Sequence, residues 1–235
     1  MHLVKSAATR PLVTAVRRAE GPARPARASL CPAMKAKSAG FTLVEVLFTV
    51  VILTVLLALG VPSLRDFFRN ARMTSAANEL LSDINIARTE AIKRRVVVTV
   101  CASTDPLAAT PVCAATDATS FAGWLAFVDD ADPAVAHAND GNAVIDSGET
   151  ILRRHQLLPT GTTAKSDTGF VSFADTGFMR PVGTVPSATR VVICDERRNV
   201  AVGSDRSAAR AVTISPTGRA GVTRVVSAIS GLGGC

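Results

Sequence analysis

The residue that most needs a chemical explanation is Glu45. From Phe41 to Val61 the chain runs 21 residues with Glu45 as the only charge. As a helix rising 1.5 Å per residue, that stretch is about 31 Å long, close to the thickness of a bilayer's hydrocarbon core. An acid inside such a segment costs about 3 kcal/mol or more, so it reads by default as a functional group. Two plainer readings compete. An ordinary membrane anchor leaves Glu45 without a purpose. A secretory signal peptide would use Ala58-Leu59-Gly60 as its small-residue cleavage site, and it too leaves the acid unexplained.

Gly40-Phe41-Thr42-Leu43-Val44-Glu45, followed at once by the apolar run, resembles the processing site of type IV prepilins and type II secretion pseudopilins. The resemblance implies cleavage by a prepilin peptidase between Gly40 and Phe41 and N-methylation of the new Phe41 terminus. It also implies that Glu45 meets the N-terminal amine of a neighbouring subunit during assembly, which offsets the burial of its charge. Pro62 falls where many pilins carry a helix-loosening proline.

The formal net charge of +7 is misleading once that cut is considered. Residues 1–40 hold eight Lys/Arg (Lys5, Arg10, Arg17, Arg18, Arg24, Arg27, Lys35 and Lys37) against one acid, Glu20. Without them, 26 basic and 19 acidic residues become 18 of each, so the mature chain is neutral. A basic leader on the cytoplasmic side obeys the positive-inside rule and places the rest beyond the inner membrane. Residues 1–33 are rich in Ala, Arg and Pro and read as a disordered tail or an over-long start. Met34 opens a short basic leader, Met-Lys-Ala-Lys-Ser-Ala-Gly, and is the expected start.

Cysteine usage agrees with that compartment. Cys31 lies in the leader, and Cys101, Cys113, Cys194 and Cys235 remain. An even number in an extracytoplasmic domain reads as two disulfides, with three possible connectivities. Cys101–Cys113 and Cys194–Cys235 are favoured. The first pair bounds a loop too short to hold much else, and the second ties the C-terminal tail to a strand. Zinc is the rival use, but the chain has no Cys-x-x-Cys and its three histidines are scattered. No metal or cofactor is expected.

The elements that must position these residues follow from periodicity. Past Pro62, Phe67, Phe68, Ala71, Ala77, Leu80, Leu81, Ile84, Ala87, Ala91 and Ile92 recur at helical spacing. Arg65, Arg69, Arg72, Glu79, Asp83 and Glu90 fall largely on the other side. One helix is therefore expected from Phe41 to about Arg95, its second half packed on a sheet. Strands are expected at 96–101, 123–128, 150–155, 169–174, 177–180, 189–194, 210–215 and 219–226, where β-branched runs alternate with turn residues. The fold class is α+β: a long N-terminal helix, membrane half then amphipathic half, packed on an antiparallel β domain. The expected divisions are leader 1–40, lipid or filament-core helix 41–62, amphipathic helix 63–95 and β-rich domain 96–235. Six acids between Asp129 and Glu149 (Asp129, Asp130, Asp132, Asp140, Asp146 and Glu149), with no Lys or Arg among them, read as a solvated loop rather than a calcium site. Their spacing is not that of an EF-hand, and Asp-Gly-Asn is ordinary turn chemistry.

The second half is similar to GspH/FimT-type minor pilins. The similarity rests on Cys101…Cys113, Gly123-Trp124-Leu125-Ala126-Phe127-Val128-Asp129, Gly148-Glu149-Thr150-Ile151-Leu152-Arg153 and Ile214-Ser215-Pro216-Thr217-Gly218-Arg219. It implies a low-abundance structural subunit near the tip of a type IV pilus or type II secretion pseudopilus, whose partners are the peptidase, other pilins and the inner membrane. A DNA-binding minor pilin for transformation is the alternative. FimT-like proteins of that kind carry Gly-Arg-x-Arg near the C-terminus, where this chain has Gly218-Arg219-Ala220-Gly221. Arg206, Arg210, Arg219 and Arg224, with no acid from Arg206 to the C-terminus, make a local basic patch able to attract phosphates. Realigning Arg219 with Arg224 on one face would need a bulge at Gly221. An enzyme on a pilin anchor fits least well. His137 and His155 have no recognisable partners in the sequence, and neither Gly-Ser-Asp at 203–205 nor Thr-Ile-Ser at 213–215 has a nucleophile-elbow context.

Overall fold

The computed structural model describes residues 40–116, 118–130 and 140–230. Helix α1 spans Leu43–Arg94, with Pro62 inside it. It ends where Arg95 takes a left-handed φ of 60° and its N–H reaches the Ala91 carbonyl at 2.8 Å. Ten strands follow: β1 Val98–Ser103, β2 Ser120–Phe121, β3 Gly123–Val128, β4 Thr150–Arg154, β5 Thr163–Ser166, β6 Phe170–Phe173, β7 Met179–Arg180, β8 Arg190–Cys194, β9 Arg206–Ile214 and β10 Ala220–Val225. A short helix, α2 (Val226–Ser230), follows β10. All pairings are antiparallel, in two five-stranded sheets ordered β4-β3-β1-β6-β7 and β10-β9-β8-β5-β2.

The core explains this arrangement. Met73, Ala76, Ala77, Leu80, Ile84, Ala87 and Ala91 form the buried stripe of α1. They share one cluster with Val98, Val100 and Ala102 of β1, Trp124, Ala126 and Val128 of β3, and Val191, Ile193, Val212 and Ile214 of the second sheet. Both sheets thus use the same helix face. Strands β1, β3 and β6 are buried throughout, because their outer faces have a cover of their own. Cys101, Leu125, Phe127 and Phe170 pack there with Ala143 and the half-buried Cys113. On the second sheet, Val192, Cys194, Ala209 and Ala211 pack under Ile229 of α2.

The helix stripe differs from the expected one at its start. Phe67 and Phe68 are 65% and 56% exposed and touch each other edge to face, while Met73 and Ala76 are buried instead. Strand β9 begins at Arg206, four residues before the expected start, and β2, β5 and α2 were not foreseen.

One junction depends on glycine. In the turn between β9 and β10, Gly218 has φ +78°, and a Cβ there would lie 2.4 Å from the Gly177 carbonyl and 2.8 Å from Arg88 Nε. Arg88 Nε donates to that same carbonyl at 3.1 Å, and Met179 N–H donates to Pro216 O at 3.0 Å. The β9–β10 turn, the β6–β7 turn and α1 therefore meet with no room for a methyl group. Gly218→Ala is expected to cost about 2–3 kcal/mol, from left-handed strain plus the clash. Gly183→Ala, at φ +56° with nothing within 4 Å, should cost only about 1 kcal/mol. Urea unfolding of the two variants measures the difference, and equal losses would mean the junction is loose.

Candidate functional site

The first of the two compact units, which ends at Thr49, contains the processing motif. Gly40 lies outside the helix, with nothing within 4 Å of where a Cβ would stand, and Phe41 is 82% exposed. Thr42 is the helix N-cap: its Oγ1 accepts the Glu45 backbone N–H at 3.2 Å. Thr42-Leu43-Val44-Glu45 is thus the sequence of a capping box, and Glu45 occupies its acidic position in the first turn, where the helix dipole favours a negative charge. The cap stops the helix just before the Gly40–Phe41 bond. α1 is the described helix long and apolar enough to cross a membrane.

The second unit contains the remaining predicted residues. Cys101 and Cys113 form a disulfide with Cα atoms 5.5 Å apart. Cys194 is also disulfide-bonded, while Cys235 lies outside the described residues. The disulfide loop returns to β1 through Ala114 N–H to Ala102 O at 2.7 Å and Ser103 Oγ to Val112 O at 2.8 Å.

The acidic segment is not simply solvated. Asp129, at the end of β3, is fully buried and holds the chain on either side. Its carboxylate accepts Thr99 Oγ1 at 2.7 Å, Asn142 N–H at 3.1 Å and Ala143 N–H at 3.0 Å, and its carbonyl accepts Gly141 N–H at 2.9 Å. Burial pushes the Asp129 carboxyl above its ordinary value, against those donors, which favour the charged form. Asp132 lies outside the described residues. Among the described residues no group of three or more His, Cys, Asp and Glu side chains is arranged to hold a metal ion.

His155 has partners that the sequence did not reveal. Its ring stacks on Trp124 with centroids 3.6 Å apart, and Nε2 lies 2.5 Å from Glu79 Oε2. Trp124 Nε1 donates to Asp83 Oδ2 at 2.8 Å. Glu79 and Asp83, expected on the outer face of α1, instead tie that helix to β3 and β4. Short range in space and long range in sequence hid the link: the two contacts span 76 and 41 residues. His137 lies outside the described residues.

The four C-terminal arginines do not make one patch. Strand β10 pairs regularly at Gly221 with Thr213, and the irregularity falls between Thr223 and Val225. Arg219 is therefore left at the turn end of the hairpin while Arg206 and Arg224 stand at the other end. Arg210 is 4% exposed, with its guanidinium committed to Ala208 O, Ala209 O and Thr74 Oγ1. Burial and the neighbouring Arg224 and Arg197 lower it to about 10. Arg224 donates twice to Ser207 O. The bulge expected at Gly221 to align Arg219 with Arg224 is not there, since the pairing is regular at that residue.

With that geometry in view, two family matches decide the relationship. The family described as Type II transport protein GspH matches residues 76–218, and the prokaryotic N-terminal methylation motif matches residues 35–61. The chain belongs to the GspH family. It is a minor pilin or pseudopilin, a membrane-anchored subunit with a soluble C-terminal domain, and DNA binding has no support from either match. Solved structures of the type IV minor pilin FimU from Pseudomonas aeruginosa (strain PAO1), in two crystal forms, align with this GspH-family chain at 20% and 21% identity. They cover 67% and 64% of this chain and 92% and 91% of theirs, with TM-scores of 0.40 and 0.39. No curated protein matches the chain.

The acidic segment generates a pH prediction. Burial raises Glu149 to about 7, opposed by the Asp146 N–H and reinforced by Asp129, Asp146 and Asp140. The folded state holds this proton longer than the unfolded chain does. Stability from Glu149 is therefore present at acid pH and is lost as pH rises through about 7. Solvent screening keeps the effect to about 1 kcal/mol, or about 2–4 °C in Tm for a domain of this size. Thermal melts at pH 5 and pH 8 should show that drop in the native protein and a smaller one in Glu149→Gln. An identical drop in both would exclude Glu149 as its source.

Proposed function

We propose that this GspH-family chain is a prepilin, cut by a prepilin peptidase between Gly40 and Phe41, N-methylated on Phe41, and built into a type IV pilus or type II secretion pseudopilus as a low-abundance tip subunit. Residues 1–40 are the leader that is removed. Residues 41–62 lie in the inner membrane and then in the filament core, and residues 63–235 face the periplasm. The observation that carries the reading is the Thr42 cap. It leaves Gly40–Phe41 in non-helical, exposed chain and sets Glu45 in the first turn of an otherwise uncharged span. A peptidase needs an extended segment. A neighbouring subunit's amine then finds Glu45 one helical turn in, and their pairing offsets the cost of an acid in lipid. Catalysis is not part of this role: His155 is used to brace α1 against the sheet.

Two substitutions separate processing from assembly. Gly40→Val places a branched side chain at the cut and should leave the full-length precursor in the membrane; mature-sized protein in that variant would sink the cleavage site. Glu45→Val should be cleaved normally and enter sheared filaments at a fraction of the native level. Undiminished incorporation would remove the role of its charge.

The second disulfide is proposed as Cys194–Cys235, anchoring the tail to β8. Loop-closure estimates give about 4 kcal/mol for this pair and about 3 kcal/mol for Cys101–Cys113. Non-reducing peptide mapping should recover both pairs, and a peptide joining Cys194 to any other cysteine would overturn the assignment.

A further inference from the structure

The arginines at the open end of the β9–β10 hairpin surround a groove of about 430 Å³, lined by Thr74 of α1 and by Arg206, Arg210, Val222, Thr223, Arg224 and Val225. Among the described residues none of the three arginines has a carboxylate within 4 Å. Three arginines of the same domain do have such partners: Arg197 binds Asp195 at 2.5 Å, Arg69 binds Glu196, and Arg94 binds Glu90 at 2.6 Å. Arg210 is nine-tenths buried at the base of the groove. A guanidinium has five N–H donors, and four contacts to Ala208 O, Ala209 O and Thr74 Oγ1 leave one on offer. Burying a cation beside two others is costly, and among the described residues only the more distant Asp195 opposes that cost, so an anion seated in the groove would be stabilised.

We propose that this groove receives a carboxylate side chain from an extended acidic segment of a neighbouring filament subunit. The groove favours that occupant over a nucleic acid on three counts. Its walls include Val222 and Val225, both partly exposed, which suit the apolar neighbours of an acidic residue in a peptide. Arg210 at the base keeps one N–H uncommitted, enough to meet one carboxylate oxygen. Arg219 is at the far end of the hairpin, and the mature chain carries 18 basic and 18 acidic residues, so the excess of positive charge at the groove is local. Strand β10 is the outer strand of its sheet, so an arriving segment also finds an edge to pair with. The proposal rests on the filament-subunit reading only for the source of the segment. Peptide binding and prepilin cleavage are measured separately, so either can fail alone.

The test uses the full chain in detergent and three labelled probes followed by fluorescence anisotropy: a capped Glu-Val-Glu-Val-Glu peptide, its Gln-Val-Gln-Val-Gln counterpart, and an oligothymidylate of equal charge. The Glu peptide should bind about tenfold or more tighter than the Gln peptide, and more weakly as salt is raised. Arg206→Gln with Arg224→Gln should abolish that preference, while Arg219→Gln should leave it intact. Tryptophan fluorescence checks that the double variant is folded; if it is not, Arg206→Gln alone, at an exposed position, must weaken the Glu peptide. Equal binding of Glu and Gln peptides, native-like binding by the folded double variant, or tighter binding of the oligothymidylate would each overturn the proposal.

Discussion

Everything in the β domain depends on one narrow stripe of α1. Four of its seven buried residues are alanines (Ala76, Ala77, Ala87 and Ala91), and the other three are Met73, Leu80 and Ile84. Small side chains let a backbone approach closely, and the larger three supply apolar area worth about 1.5–3 kcal/mol each. Because strands of both sheets contribute to the same cluster, the stripe is the one surface on which two separate sheets agree. A bulky residue at Ala77 or Ala87, both fully buried, would have to displace both sheets.

Burial on two faces forces the polar groups to be resolved locally. Thr99 points away from the helix core, where its hydroxyl donates to Asp129 and lies 2.9 Å from Ser172 Oγ. Asp129 in turn fixes the Asn142–Ala143 backbone, and Arg180 Nη1 donates to Gly141 O at 2.9 Å. An acid therefore substitutes for missing strand partners where β3 runs out. Trp124 works similarly on the other face: its ring is buried, and its N–H is satisfied by Asp83 reaching from the helix. These bonds give the helix a fixed rotation and height against the sheet, which apolar packing alone specifies less tightly.

Most of this fold could be read in the sequence because its signals are local. The apolar span, the period of α1 from Ala77 to Ala91 and the β-branched runs of β1, β3 and β8 each announce themselves within ten to twenty residues. Met73 was missed because it lies between arginine and threonine, and Phe67 and Phe68 misled because large apolar residues need not be buried in an isolated subunit. Strand β5, with Lys165 and Ser166 in four residues, has no strand signature and exists because β8 and β2 pair with it on either side. Asp129, Asp83 and Arg210 looked like surface charges. Each is held by a partner far along the chain, Asn142 for Asp129, Trp124 for Asp83 and Thr74 for Arg210, which no local pattern contains.

Charge at the two ends of this protein follows one logic. Glu45 is an acid in a span with no cation, and the Arg206–Arg210–Arg224 groove is a set of cations with no carboxylate paired to them among the described residues, Asp195 acting on Arg210 only at longer range. A chain selected to be stable alone would neutralise both from within, as it does for Arg197 with Asp195 and for Glu90 with Arg94. A chain selected to assemble gains by leaving them open. On the proposed assembly, a neighbour's counter-charge would relieve each unpaired charge, so its cost in the isolated subunit would become a driving force for a specific contact. An apolar filament core joins any two greasy helices; buried charges reject every register in which they stay unpaired.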